Sequence, residues 1–325
     1  MTDQGRRRAG RTAKAAPRLA VHQQVRLGSA ELVPELDRAD SWLLFIDGVP
    51  QSGVDLADPG YLEFEYIRRI AHAVDHAFPP GEPVRALHLG GGALTLPRYL
   101  AHARPGSRQL VAEIDDQLTS LIREHLPLPA GHRIRVRGAD ARAVTESVPP
   151  GSYDLVVADV YAGAVTPPHL TTAEFTAATA RALRPGGVYA VNVAAGPGMD
   201  SARSAVATVR SAYKETAMIA EASVLRGRRR GNLVILGSDQ PLPEAALARA
   251  AAGDPFPARL VTGEDLVRFT AGAPVLRDPV LRDPVLRDPV LRDPVITDVT
   301  VSDDAVITDA NSTASTETSP QPTAW

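Results

Sequence analysis

Three carboxylates and a glycine triplet are the residues of this chain best placed to do chemistry. Leu87-His88-Leu89 runs straight into Gly90-Gly91-Gly92, Glu113-Ile114-Asp115 follows, and Asp140 and Asp159 come later. An apolar strand opening into glycines lets the backbone turn sharply and approach a ligand closely. An acid roughly twenty residues further on suits the hydroxyls of a ribose, which donate to a carboxylate. Asp159 closes the apolar run Tyr153-Asp154-Leu155-Val156-Val157-Ala158. A carboxylate there can orient a cationic group or accept its proton. In this order the features describe a nucleoside-binding site at the strand ends of a parallel sheet. The plainer alternatives are a tight turn for the glycines, helix caps for Glu113 and Asp159, and a surface turn for Asp140.

Other polar groups carry weaker signals. Gln51 and Tyr61 are candidates for the pocket, although Gln51 could simply finish a hairpin and Tyr61 could be core. Tyr161 is either pocket wall or packing, and Asp47 sets a turn. His88 reads as a satisfied structural histidine and His169 as unremarkable. No metal is expected. The absence of cysteine excludes disulfides and thiolate chemistry. The Arg226 to Arg230 cluster reads as a solvated hairpin tip, with capture of an anionic substrate as its functional alternative.

The elements that must hold these residues follow from periodicity. Residues 1–24 are basic without apolar spacing and read as a disordered arm. Residues 25–58 hold a small β region, with Ser41 to Ile46 strand-like and Asp47-Gly48 as its turn. Helical spacing over Tyr61 to Phe78 opens the main domain, 59–240. Strands at Arg85–Leu89, Gln109–Ile114, Ile134–Arg137, Tyr153–Ala158 and Val188–Val193 then alternate with helices at Leu96–His102, Asp116–His125, Thr172–Leu183 and Ala202–Tyr213. Thr216–Leu225 and Asn232–Gly237 close the sheet as a strand pair. The fold class is therefore α/β, a doubly wound, mostly parallel Rossmann-like sheet preceded by a small β-hairpin region. Residues 241–272 read as a helical extension. Residues 273–325 read as a low-complexity tail carrying Val-Leu-Arg-Asp-Pro four times from Val275, with a docking ribbon as the alternative.

Composition narrows the partners. A net charge of −3 gives no whole-molecule case for nucleic acid or an anionic membrane. No apolar run approaches the ~18 residues of a membrane span, and the basic N-terminus lacks a signal's apolar segment. A cytoplasmic protein is expected.

From about Trp42 to Leu236 the sequence resembles the spermidine synthase (polyamine aminopropyltransferase) family, in its divergent bacterial branch. The resemblance rests on Leu43 to Gln51, Tyr61-Leu62-Glu63, Gly90-Gly91-Gly92, Glu113-Ile114-Asp115 and Tyr153 to Asp159. It implies a class I methyltransferase fold and a homodimer. It also implies decarboxylated S-adenosylmethionine, or S-adenosylmethionine itself, as co-substrate, with no tightly bound cofactor and a small-molecule amine as acceptor. The glycine turn would hold the aminopropyl–sulfonium portion, Glu113 the ribose and Asp140 the adenine amino group. Asp159 would be the catalytic carboxylate, and Tyr61 would line the site.

Three departures stand against the family pattern. Ala93 follows the glycines where an aspartate is usual. Ala162 and Gly163 stand where a second aspartate and proline follow the catalytic one. Arg228-Arg229-Arg230-Gly231 replaces a Tyr-Pro-Ser-Gly segment. Loss of these acids weakens recognition of a cationic amine. A small-molecule methyltransferase and a non-catalytic nucleoside-binding paralogue therefore stay open as alternatives.

Overall fold

The computed structural model describes residues 18–161, 163 and 165–279. The basic arm up to residue 17, Ala162 and the pentads after Pro279 lie outside the described residues. The chain begins with an antiparallel meander of β1 (Val21–Val25), β2 (Gly28–Pro34), β3 (Ser41–Ile46) and β4 (Val49–Asp55), paired in that order. Structure thus starts inside the segment expected to be a disordered arm. Arg18 is tied down as well, donating to the carbonyls of Ser41, Glu35 and Arg38 at 3.0–3.3 Å and lying over Trp42. The alternation of Val21-His22-Gln23-Gln24-Val25 is too short and polar to announce a strand; pairing with β2 makes it one.

The main sheet is built from α1 (Glu65–Ala77), β5 (Arg85–Leu89), α2 (Thr95–Ala103), β6 (Arg108–Glu113), α3 (Asp116–His125), β7 (Ile134–Gly138), α4 (Ala141–Ser147) and β8 (Tyr153–Ala158). It continues with α5 (Ala173–Ala182), β9 (Leu183–Ala195), α6 (Asp200–Ala212), β10 (Glu215–Glu221), α7 (Ala222–Leu225) and β11 (Gly231–Ser238). Last come α8 (Glu244–Gly253), β12 (Ala258–Val261) and α9 (Gly263–Phe269). The strand order is β12-β10-β11-β9-β8-β5-β6-β7. The block β9-β8-β5-β6-β7 is parallel; β11, β10 and β12 join antiparallel. This is the expected doubly wound architecture.

Period-two alternation explains why helices cover both faces. Leu87, Leu89, Val156, Ala158, Leu233 and Ile235 face a core shared with Val144 of α4, Phe175 of α5 and Val206 of α6. Their neighbours Ala86, Leu155, Val157, Val234 and Leu236 face Ile70 and Val74 of α1, Leu100 of α2 and Leu247 of α8. The small sheet has its own apolar face, Val25, Ala30, Leu32, Leu44 and Val54, which covers Leu118, Leu121 and Ile122 of α3. That packing brings β4 against the glycine turn.

Several boundaries move. The strand expected over Thr216–Leu225 ends at Glu221, and its last four residues turn into α7. Arg184-Pro185-Gly186-Gly187, expected to separate helix from strand, is instead a register shift inside β9, with Gly186 at φ +77°. The extension over 241–272 is not purely helical, because β12 pairs with β10 as the edge strand. The first pentad, residues 275–279, is not tail. Its Leu276 carbonyl accepts from the Ala173 amide at 2.8 Å, and Asp278 forms a two-pronged ion pair with Arg142.

Candidate active site

The sheet's order reverses beside β5. The chain runs β5 to β6 to β7 on one side, then returns to lay β8 on the other. The loops leaving β5 and β8 therefore diverge in opposite directions and open a crevice at their C-terminal ends, the usual place for a ligand in such sheets. Gly90-Gly91-Gly92 leaves β5 and Asp159 leaves β8 at this point. Both line a cavity of ≈ 240 Å³, together with Gln51, Glu113, Asp140 and Tyr161.

Glycine is dictated at two of the three turn positions. Gly90 has φ +93°, and a Cβ there would sit 2.2 Å from the Asp159 carbonyl oxygen. Gly92, at φ +48°, would meet Ser52 Oγ at 2.7 Å. The middle residue is held by Glu113: the Gly91 amide donates to Oε2 at 2.8 Å, and the Asp115 amide donates to Oε1 at 2.9 Å. Glu113 thus ties the glycine turn to the start of α3, while Asp115 caps that helix by accepting from Leu118 at 2.8 Å. The same carboxylate both builds the turn and lines the cavity.

Asp140 also serves two purposes. It is the N-cap of α4, with Oδ1 accepting from the Ala143 amide at 2.9 Å, and Oδ2 lies 2.9 Å from His169 Nε2. His169 is therefore a cavity-lining residue rather than an unremarkable one. Its part follows from the loop after β8 folding back over α4, which no local spacing reveals.

Asp159 is enclosed by protein on every side but the cavity. Asn192 Nδ2 donates to its Oδ1 at 2.9 Å, and the Tyr66 hydroxyl faces it. Burial raises its pKa from the ordinary aspartate value, although the bonds from Asn192 and Tyr66 pull the other way. The Tyr161 hydroxyl donates to the Asn192 carbonyl at 3.1 Å, and burial beside the Asp159 charge keeps that phenol protonated. Tyr66 is held neutral for the same two reasons. The result is a carboxylate fenced by an amide and two phenols at the mouth of an apolar strand pair. His88, in contrast, is a satisfied core residue: Nε2 meets Gln109 Oε1 at 2.9 Å, and burial lowers its pKa to about 4.

Solved structures place this geometry in a family. The chain is similar to a probable spermidine synthase from Corynebacterium glutamicum ATCC 13032, with 36% sequence identity, a TM-score of 0.76, and 81% of this chain and 98% of that one covered. The chain belongs to the spermidine synthase family. A polyamine aminopropyltransferase of Vibrio vulnificus (strain CMCP6) is 30% identical over 203 residues, covering 59% of this chain. The chain spans 64% of that curated relative's length. The spermidine synthase of Thermotoga maritima, 16% identical with a TM-score of 0.54 over 77% of this chain and 83% of its own, shares the fold. No family model matches the chain.

Against the family pattern, one expected residue is displaced. Tyr61 does not line the cavity; its hydroxyl donates to Glu63 Oε2 at 2.5 Å, and the Arg38 guanidinium lies 3.8 Å over its ring. Tyr66, five residues on, takes the place in the wall, because α1 starts only at Glu65 and turns Tyr66 inward. Asn192 had a signal as a polar group inside the apolar run Val188 to Val193, whereas Tyr66, four residues before Ile70, had none that set it apart from Tyr61. Ser52 had no such signal. Its hydroxyl accepts from the Ala93 amide at 3.3 Å, and Ala93 is only 1% exposed. Where the family usually has an acid, this chain has a buried methyl group against β4. Among Arg228 to Arg230, all exposed, Arg229 pairs with Glu221. Among the described residues, no group of three or more His, Cys, Asp or Glu could hold a metal, and no helix is long and apolar enough to cross a membrane.

Proposed function

We propose that this chain is a spermidine synthase-like transferase that takes decarboxylated S-adenosylmethionine or S-adenosylmethionine as co-substrate and alkylates a small amine, with Asp159 as its catalytic carboxylate. The observation that carries this is Asp159 itself, a carboxylate with raised pKa across the crevice from the glycine turn. Glu113 would take the ribose hydroxyls and Asp140 the adenine amino group, with His169 orienting Asp140. Gln51 would line the co-substrate end and Tyr161 the acceptor end.

The chemistry is an in-line displacement. The lone pair of a neutral amine nitrogen forms the new N–C bond to the carbon beside the sulfonium, the C–S bond breaks, and its electrons leave on the thioether of methylthioadenosine. An alkyl amine has a pKa near ~10.4, as lysine does, so near neutrality it arrives protonated and must shed that proton. Asp159 orients the nitrogen and accepts the proton, and its raised pKa makes it a better base than an exposed aspartate. Holding both reactants in line supplies much of the remaining acceleration. The replaced acids leave a second reading of the same site: methyl transfer from S-adenosylmethionine, favoured by the buried Ala93 where the family usually has an aspartate.

A product assay by mass spectrometry decides between them. With decarboxylated donor and putrescine or another amine, methylthioadenosine and an aminopropylated amine are expected. Homocysteine-type product from S-adenosylmethionine would instead establish the methyltransferase, and silence with both donors would overturn both readings.

The fence around Asp159 makes its own prediction. Asn192→Ala removes a donor that stabilises the ionised form, so the pKa of Asp159 rises further. The ionised base is then lost at higher pH as acid is added. The acid limb of the kcat profile should move up by about one pH unit, the size expected for a hydrogen bond to a charged group. An unmoved limb would show that Asp159 is not the group that titrates.

A further inference from the structure

Asp140 is held at one carboxylate oxygen by its own helix and at the other by a neighbour, and the second tie leads back to residues 276–278. Oδ1 accepts from the Ala143 amide at 2.9 Å. That bond alone leaves the carboxylate free to turn about χ2, a torsion with broad preferences in aspartate. His169 Nε2, 2.9 Å from Oδ2, fixes its plane, and a donor is accepted best near that plane. His169 sits on a single 3₁₀ turn, Pro168–Leu170, with its side chain 44% exposed, so little packing holds the ring. Its carbonyl, however, accepts from Arg142 Nη1 at 3.2 Å.

Arg142 is itself clamped. Nη1 and Nη2 donate to Asp278 Oδ1 and Oδ2 at 2.7 and 2.6 Å, and Nε donates to Glu146 Oε1 at 2.7 Å. A guanidinium carries its N–H bonds in one rigid plane, so docking the fork on Asp278 aims the remaining Nη1 hydrogen at His169. Asp278 has a firm seat of its own. The Leu276 amide donates to Thr208 Oγ1 of α6 at 3.0 Å, and the Leu276 carbonyl accepts from the Ala173 amide of α5 at 2.8 Å. The Asp278 amide donates to Glu174 Oε2 of α5 at 2.9 Å.

We propose that Arg142 and Asp278 are positioning residues that set base specificity: Asp278 orients Arg142, Arg142 holds His169, and His169 fixes the plane in which Asp140 receives the base. The inference rests on the assignment of Asp140 to the adenine amino group made above, and it brings residues 276–278 into the site. Asp140 and His169 line the cavity, whereas Arg142 and Asp278 stand behind them and act only through them. A base with a carbonyl oxygen in place of that amino group turns an acceptor toward the carboxylate. It is rejected for as long as Asp140 is kept from swinging aside. The brace therefore decides which nucleoside is bound and leaves the displacement at Asp159 untouched.

Calorimetry on the full-length chain tests this with two probes, methylthioadenosine and methylthioinosine, which differ in that amino group. The wild type should favour methylthioadenosine by about tenfold or more, the cost of facing a buried acceptor with another. Arg142→Ala and Arg142→Lys should each cut the ratio about three- to tenfold, the worth of one hydrogen bond; lysine keeps the charge but not the fork. Asp278→Asn leaves the backbone bonds of the segment in place and unclamps Arg142, so the ratio should fall about two- to fivefold. Arg277→Ala removes an exposed contact of the same segment, to Glu174 at 3.4 Å, and should leave the ratio unchanged. A purely structural role would weaken both nucleosides equally and leave the ratio where it was. That result in Arg142→Ala or Asp278→Asn overturns the brace, as does a wild-type ratio in Arg142→Lys or an equal fall in Arg277→Ala. A wild type that binds the two nucleosides alike would show that Asp140 does not read the amino group, and the assignment of Asp140 would fall together with the brace. A wild type that discriminates, with variants that do so equally well, brings down the brace alone.

Discussion

Asp159→Asn should lower kcat by about two to four orders of magnitude, the range that a positioned acid or base contributes, while leaving affinity for methylthioadenosine unchanged. The substitution is nearly isosteric, and Asn192 Nδ2, which donates to Oδ1 at 2.9 Å, can go on donating to an amide oxygen there. What disappears is a base whose pKa burial has raised. The nucleoside end of the cavity is built from other groups: Glu113, fixed by the Gly91 and Asp115 amides, and Asp140, fixed by the Ala143 amide and His169. A loss confined to kcat, with calorimetric binding intact, is what a base acting only as the N–C bond forms must produce. Turnover that survives the change would remove Asp159 from the mechanism. Loss of nucleoside binding with it would make Asp159 a structural cap of the crevice instead.

How much of this site was legible in the sequence depends on whether a residue's role is local. Strands at Arg85–Leu89 and Tyr153–Ala158 and the helix Asp116–His125 match their expected bounds residue for residue. Each is an apolar run with an abrupt polar or glycine end, and each packs in one continuous core. The four acidic and glycine features reach one crevice because topology sends every parallel strand's C-terminal end to the same side. The failures are all tertiary. Helix α4 has only seven residues and β12 only four, too short for a period to show. Tyr61 and Tyr66 could not be told apart without knowing where α1 begins. Ser52 and His169 enter the cavity through packing of the small sheet and of the loop after β8, which no spacing encodes. The first pentad gave no sign of docking because an odd period throws each leucine of the repeat to alternate faces of an extended chain. The contacts of the seated copy are mainly backbone hydrogen bonds and ion pairs, so an apolar face is not what seats it.

Gly90→Ala should cost about 2–5 kcal/mol of stability, and it should do so where an equally left-handed glycine elsewhere would not. Two terms add at Gly90. Its φ of +93° penalises any side chain, by about 1–2 kcal/mol. A Cβ would also sit 2.2 Å from the Asp159 carbonyl oxygen, a backbone atom that no rotamer change can move away. Relief requires β5 and β8 to part at their C-terminal ends, where the Gly90 amide donates to Ala112 and the Asp159 amide to Leu89, both at 2.9 Å. Overpacking of this kind adds about 1–3 kcal/mol. Gly81 isolates the first term, since it has φ +73° and nothing within 4 Å of a built Cβ. For a chain of this size the difference should appear as a melting temperature roughly 3–10 °C below that of Gly81→Ala. Because the strands that must part are the two that carry the glycine turn and Asp159, nucleoside affinity should fall in the same variant and not in the control. Equal melting of the two variants would mean that the crevice can open without cost, and that its width is set by the bound ligand and not by the fold.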